Sequence, residues 1–392
     1  MKIKIKASPE DFVVEEVASL PLADKGAWGM YLLRKRGWNT VELLRRLSDR
    51  LHIPFARFSY GGRKDRHALT FQHIGIEAPR QPEIEEKNYC LQFIGFMGRP
   101  MGPDLIQANS FKITVRGLKE EQAQSALALM PQVQKQGYPN YFDDQRFGSF
   151  DPRQGFFAEK LLKGHFSGAL KIHLTAGRPE EKSDDRQRKK YFRQHWKDWG
   201  SCLGLARTAF EKKAFAFLAQ GAGNPLAMLK MLDKEEMAVY FSAYQSYIWN
   251  EVLKRIIRSL GCPSLHSCPG AAGEYLFYDS LPEKQYRYLR SLRLATCAAK
   301  AKMPDASCSA SYAAVLEENG ISPAMFNKIK LRQTFFKSFE RPALVFPEGL
   351  ACALDADEVY RGKKKISLAF ALPAGSFGTM LVKRLFCDIM KT

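Results

Sequence analysis

Short apolar segments separated by turn residues fill the first 150 positions of the chain. Phe12–Val17, Tyr31–Leu33, His73–Ile76 and Phe111–Val115 read as strands, and Met1–Lys6, where lysine alternates with isoleucine, reads as a half-exposed one. Two stretches carry the helical period instead. Thr40–Leu51 sets Val41, Leu44, Leu47 and Leu51 on one face, with Asn39 or Thr40 as its cap, and Glu120–Gln136 is stopped by Gly137. Strands and helices mix without the regular alternation of a doubly wound sheet, which makes the class α+β.

The pattern then changes. Helical periods dominate at Leu203–Gln220 and Lys234–Leu260, the second placing Tyr240, Tyr244, Tyr247, Ile248 and Val252 at helical spacings ahead of Gly261. That density of tyrosine reads as core packing. Cys262–Asp305 is rich in loop residues, Tyr and Arg. After Arg341 and Pro342 the strand pattern returns at Ala343–Phe346 and Lys365–Leu372, followed by Ser376–Leu385. Strand-rich ends around a helix-rich middle imply one domain interrupted by another, 1–165 with 336–392 enclosing an insert over 166–335.

Composition bounds the answer. At about 150 residues per domain, 392 residues give two or three domains, and 45% hydrophobic residues exclude wholesale disorder. The 60 basic residues exceed the 41 acidic ones for a net charge of +19, which favours polyanionic partners, nucleic acid or an anionic membrane surface. Arg178–Lys197, dense in mixed charge and containing Tyr191, Phe192 and Trp196, reads as a solvated linker or as a surface facing nucleic acid. Ile366–Val382 is the longest uncharged run, but Pro373, Gly375 and Gly378 break it, so no membrane helix is expected. Met1–Lys6 lacks the apolar stretch of a signal peptide, so a soluble cytoplasmic protein is expected. Eight scattered cysteines without a Cys-x-x-Cys pair read as reduced thiols, and Cys262, His266 and Cys268 fit no standard zinc spacing.

Three segments set polar residues beside glycines and aromatics. In Tyr60–Gln72 the lone carboxylate of Asp65 sits among Arg63, Lys64, Arg66 and His67, after two glycines that permit a special backbone conformation. Nearby cations favour an ionised carboxylate, which suits a nucleophile or electrostatic stabiliser better than a general acid. A turn residue paired with surface cations has the same sequence signature. In Pro139–Gly148, Asn140 and Gln145 can bond a base edge, Arg146 a phosphate or carboxylate, and Tyr141, Phe142 and Phe147 can stack. The third, Leu372–Thr379, is a Pro/Gly turn carrying Phe377.

In this order the segments resemble the motifs of the tRNA pseudouridine synthase D (TruD) family. The resemblance begins at Lys6–Val14, continues through Lys35–Thr40 and the Gly-x-Lys-Asp-x-x-Ala-x-Thr-x-Gln pattern at Gly62–Gln72, then Pro139–Gly148, Ala243–Asn250 and Leu372–Thr379. It implies a pseudouridine synthase core, an antiparallel sheet with flanking helices, carrying a family-specific inserted α/β domain. It implies isomerisation of a uridine in tRNA, at position 13 of the D arm for bacterial members, with no metal or other cofactor. Asp65 is the catalytic aspartate by this match, as attacker of C1′ or as a base toward a sugar proton. Phe12, Asn140 and Phe377 are substrate contacts, Phe142 the aromatic that stacks on the target base, and Lys6 a further pocket residue. No obligate protein partner is implied, and a monomer is expected. Two positions depart from the family pattern: Asp143 stands where Gly is common, and Lys383 with Arg384 replaces an Arg-Glu pair. The rival class is a tRNA-binding protein or folding chaperone without catalysis.

Overall fold

A computed structural model describes residues 4–177, 181–221, 223–327, 329, 331 and 336–390. The chain forms two compact units, Met1–Tyr138 with Val345–Thr392, and Pro139–Leu344.

The first unit is built on a nine-stranded sheet. Its strands are β1 (Phe12–Ala18), β2 (Trp28–Lys35), β3 (Phe58–Tyr60), β4 (Leu69–Ile76), β5 (Ile84–Glu86), β6 (Tyr89–Met97), β7 (Ile106–Leu118), β8 (Glu348–Ala356) and β9 (Lys364–Pro373). Their order is β8-β9-β7-β1-β4-β2-β6-β5, with β3 also paired to β4. Every pairing is antiparallel except β1 with β4, which run parallel with Val14 opposite Thr70. The expected antiparallel sheet is therefore mixed by one pair. Of the expected N-terminal strand, residues 1–3 lie outside the described residues, and Lys4 makes a single bridge to Arg116.

Residues directly opposite across a ladder share a face. Lys35 lies opposite Thr70, Thr70 opposite Val14, Val14 opposite Phe111, and Phe111 opposite Phe370, so all five point to one side. Helices cover that side. In α1 (Thr40–Leu51), capped by the Asn39 side chain on the Val41 N–H at 3.0 Å, the buried face is Thr40, Leu43, Leu44 and Leu47. This is rotated from the face expected through Val41 and Leu51, because Leu43 joins Leu33, Ile74 and Leu91 in the core. α2 (Glu120–Gln136) packs on β8 and β9, and ends at Gly137, whose φ of +66° suits glycine. A Cβ there would also lie 2.6 Å from the Val345 carbonyl. The C-terminal α3 (Gly378–Leu385) packs on α2 and buries Lys383 and Arg384 in its last turn.

The second unit is mostly helical, with two-stranded ladders at Leu265–Gly270 with Gly273–Tyr278 and at Arg293–Ala295 with Glu340–Pro342. Its axis is the helix Lys234–Ser259, which buries Tyr240, Tyr244, Ile248 and Trp249. The helix expected over Leu203–Gln220 is two, Trp199–Leu205 and Ala209–Ala219, because Thr208 and Glu211 form a reciprocal capping box that starts a new one. The loop expected over Cys262–Asp305 contains a hairpin and the helix Glu283–Ser291. Residues 139–165 and 336–344, assigned by pattern to the interrupted domain, pack within this unit instead. Phe157 stacks on Tyr240 at 4.1 Å and the Tyr141 hydroxyl donates to the Leu276 carbonyl at 3.0 Å. The crossings between units thus fall at 138/139 and 344/345, rather than near 165 and 335.

Candidate active site

Asp65 occupies the connection between β3 and β4, in the first unit. Its Oδ1 accepts the His67 N–H at 2.9 Å, the short Asx contact that favours Asp in a turn. Its Oδ2 pairs with the Lys6 ammonium, brought from 59 positions earlier. The carboxyl is 13% exposed and the Lys6 side chain 27%, so the pair stands at the surface of a covered site. Burial pushes the Asp65 pKa up more than any other single influence. The charge and hydrogen bond of Lys6, with the His67 N–H and ring, together outweigh it and hold the carboxyl below the usual carboxylate value.

The backbone beneath this carboxylate is fixed by buried cations. Lys35, with no exposed surface, ends β2 directly under the loop. Its ammonium donates to the carbonyls of Trp38 at 2.9 Å, Asp65 at 3.0 Å and Lys64 at 3.3 Å. Lys64 turns the other way, to Asn109 Oδ1 at 2.5 Å and Glu16 Oε2 at 3.0 Å. Glu16 is in turn held by the His73 N–H at 3.0 Å and Nδ1 at 3.3 Å. Burial would raise the Glu16 pKa, but His73 and Lys64 bring it below the ordinary value. The Lys64 N–H donates to Thr40 Oγ1, which donates to Gln72 Oε1 at 2.9 Å, tying the loop to α1 and β4. The sequence points to the flanking cations as what keeps Asp65 ionised. Lys64 is spent on Glu16, and Arg66 faces Glu42 at 3.7 Å, so the cation bonded to Asp65 is Lys6.

The two glycines before Asp65 differ in purpose. A Cβ on Gly61 would lie 2.3 Å from Ile106 Cδ1, whereas one on Gly62 meets nothing within 4 Å. Neither has positive φ, so the special backbone conformation expected there is absent.

Phe12 opens β1 beside this loop, with the Lys6 ammonium 4.5 Å above its ring centre and Phe111 edge-on at 6.4 Å. Phe111 stacks on Phe370 at 5.3 Å. Phe377 is half-buried at the N-cap of α3, and the Gly378 that follows it rests on the same Phe111: a Cβ there would lie 2.7 Å from Phe111 Cδ1. Lys6 thus touches both Asp65 and Phe12, and Gly378, next to Phe377, rests on the aromatic cluster under Phe12. Gly378→Ala should push that ring aside and destabilise the first unit by about 1–3 kcal/mol, read as a lower denaturant midpoint.

Asn140 and Phe142 belong to the second unit, both almost fully buried. The Asn140 side chain donates to the Pro342 carbonyl at 3.2 Å and accepts from Arg341 Nη2 at 2.6 Å, while its own carbonyl accepts from Arg341 Nε at 2.7 Å. The guanidinium then lies 4.2 Å over the Phe142 ring, and Trp249 meets that ring edge-on at 5.5 Å. Asn250 pairs with both backbone groups of residue 142, accepting its N–H at 2.9 Å and donating to its carbonyl at 2.8 Å. One closed network therefore holds both sequence-derived positions, and Asp143 beside them is buried too. Among the described residues, no group of three or more His, Cys, Asp or Glu is placed to hold a metal ion, and no helix is long and apolar enough to cross a membrane.

The family model for tRNA pseudouridine synthase D (TruD) matches residues 1–270. The chain belongs to the TruD family. It is 28% identical to the tRNA pseudouridine synthase D of Aquifex aeolicus over 400 residues, covering all of both chains. With that of Leptospira interrogans it is 29% identical, over 97% of this chain and 95% of the other. The crystal structure of a TruD-family protein from Methanosarcina mazei superposes with a TM-score of 0.70 at 24% identity, covering 98% of this chain and 93% of that one, and so shares the fold. Membership makes the chain an isomerase, a pseudouridine synthase.

Beside the TruD motif residues stand partners that sequence reading passed over as site residues: Lys35, Glu16, Asn109 and Arg341. Lys35 carries two signals in the sequence, the first place of the Lys35–Thr40 motif and a lysine closing an apolar strand, but neither joins it to Asp65, and Arg341 marks only a boundary there. Removing Lys6 tests the electrostatics. In Lys6→Met the burial of Asp65 loses its main opponent, so its pKa rises and the ionised carboxylate is lost at a higher pH. The acid limb of a plot of log kcat/KM against pH should move upward relative to wild type; an unmoved limb would mean that Lys6 does not set the ionisation.

Proposed function

We propose that this pseudouridine synthase acts on tRNA, converting uridine 13 of the D arm, with Asp65 as its catalytic carboxylate. The reaction breaks the N1–C1′ bond, turns the freed uracil and joins C1′ to C5, after which the C5 proton is lost to solvent and N1 is left protonated. Oxidation level is unchanged throughout. The observation that carries the reading is the state of Asp65: an ionised, partly exposed carboxylate with one oxygen on Lys6 and the other on the His67 N–H, over a backbone pinned by Lys35. Attack on C1′ and removal of a sugar proton both require that charged form.

A base in a stacked stem has to be turned out before a side chain reaches C1′, at a cost of a few kcal/mol recovered in a pocket. We assign substrate contact to Phe12, Asn140 and Phe377, with Lys6 orienting the carboxylate. Phe142, in the second unit and covered by Arg341, is proposed as the ring that stacks on the target base once the guanidinium moves aside. The sheet unit is proposed as the catalytic domain and Pro139–Leu344 as the family-specific insert, in a monomeric cytoplasmic enzyme that needs no cofactor or obligate protein partner.

The test is to incubate the protein with unmodified tRNA transcripts and map pseudouridine by carbodiimide adduct and primer extension. A single new stop reporting position 13 is expected. A stop elsewhere overturns the position, and tRNA that is bound but never converted favours the chaperone reading.

A further inference from the structure

The mixed-charge stretch after residue 180 is a helix, Ser183–Gln194, and its charges are sorted by side. Phe192 anchors the inner face against Phe215, with ring centres 4.7 Å apart. The cations near that face are already matched: Arg188 to Asp185 at 2.6 Å and Glu211 at 3.1 Å, Lys189 to Glu181 at 2.5 Å. The outer face is different. At 100° per residue, Arg186, Lys190 and Arg193 fall within about 60° of one another, over about 10 Å of helix. Gln187 and Gln194 flank them, and no acid of the helix shares that arc. Lys197 adds a further exposed cation three residues past the helix end. Among the described residues, no carboxylate lies within 4 Å of Arg186, Lys190 or Lys197, and Arg193 reaches Asp151 only at 3.9 Å.

A solvated helix face in ordinary proteins mixes both signs, which suppresses non-specific binding. Here Asp185 pairs inward with Arg188, exposed Asp184 lies outside the arc, and the outward stripe is of one sign, on a chain of net charge +19. We propose that the outer face of Ser183–Gln194, with Lys197, is a docking surface for the phosphate backbone of tRNA. It lies wholly on the second unit. Lysines and arginines spaced along one helix face meet phosphates in register but carry no sequence information, so the stripe supplies affinity and placement. The inference rests on the tRNA reading above.

The experiment compares wild type with Arg186→Gln/Lys190→Gln/Lys197→Gln, exposed positions whose replacement leaves the Phe192 anchor in place. A control triple, Lys25→Gln/Lys87→Gln/Arg361→Gln, removes the same charge from three separate turns of the first unit. Filter binding of tRNA between 50 and 200 mM salt and kcat at saturating tRNA are measured for all three. The stripe variant should bind about tenfold or more weakly at 0.1 M salt, with the slope of log K against log salt reduced by about two, and with kcat unchanged. An affinity and slope equal to wild type, or an equal loss in the control, overturns the proposal, including in favour of an anionic protein or membrane as the stripe's true partner. If wild type binds tRNA without converting it and the stripe variant still loses affinity, the catalytic reading fails and the docking surface stands.

Discussion

Asp65→Asn is expected to lower turnover by at least about 10⁴-fold while leaving tRNA affinity and Tm close to wild type. The amide has the shape of the carboxylate but neither its charge nor its nucleophilicity, so both routes open to Asp65 are closed. The site around it should survive. The loop is held through its backbone, by Lys35 on the carbonyls of residues 64 and 65 and by Lys64 on Glu16 and Asn109, none of which involves the Asp65 side chain. The lost ion pair with Lys6 is partly exposed and is worth at most about 1 kcal/mol. Because folding lowers the Asp65 pKa, that contribution is present above the unfolded carboxylate value and fades as pH falls through the folded one. Thermal melts and filter binding at neutral pH check the two invariants.

Lys35→Met is expected to lower kcat about 100-fold with little change in KM for tRNA, since a displacement near 1 Å at a catalytic group costs that much. Methionine fills the volume but leaves the carbonyls of Trp38, Lys64 and Asp65 without their donor. Each orphaned carbonyl costs about 1–3 kcal/mol, offset by no longer burying an ammonium. The net change in Tm should therefore be small beside the loss of turnover. A second signature separates positioning from simple packing. Burial first, and the charge of Lys64 second, bring the Lys35 pKa down to about 8, against the pull of Asp65. The unfolded chain keeps this proton to about pH 10.4, so the folded state gives it up first. Wild-type stability should then gain from this group as pH rises from about 8 toward 10.4, by at most about 1.4 kcal/mol per pH unit, a gain that Lys35→Met lacks. Unchanged kcat in a variant of lowered Tm would reduce Lys35 to a packing residue.

Local pattern carried the elements well and their partners poorly. Strand alternation at Phe12–Val17 and His73–Ile76 and the helical period of Thr40–Leu51 correspond to β1, β4 and α1. The parallel pairing of β1 with β4 has no local signal, since it follows from which two strands lie side by side between β7 and β2. The same long-range register explains the site. Lys6 reaches Asp65 because the segment before β1 runs beside the loop before β4, and Glu16 captures Lys64 because β1 and β4 are neighbours. Sequence proximity pointed to Arg63, Lys64 and Arg66 instead. Asn140 and Phe142 were found by motif, but Arg341, which binds both, lies 201 positions from Asn140 and joins them only through folding of the second unit. The break between helices at Thr208 was readable from its Thr-x-x-Glu capping box, and the apolar period running through it hid the signal.

Tritium release from C5-labelled uridine tests most directly whether an ionised Asp65 converts a tRNA uridine to pseudouridine. Measured with enzyme in excess over C5-tritiated tRNA, wild type should release label in step with pseudouridine formed, and Asp65→Asn should release none above background while still binding the tRNA. Release by Asp65→Asn at a rate near wild type would contradict the account.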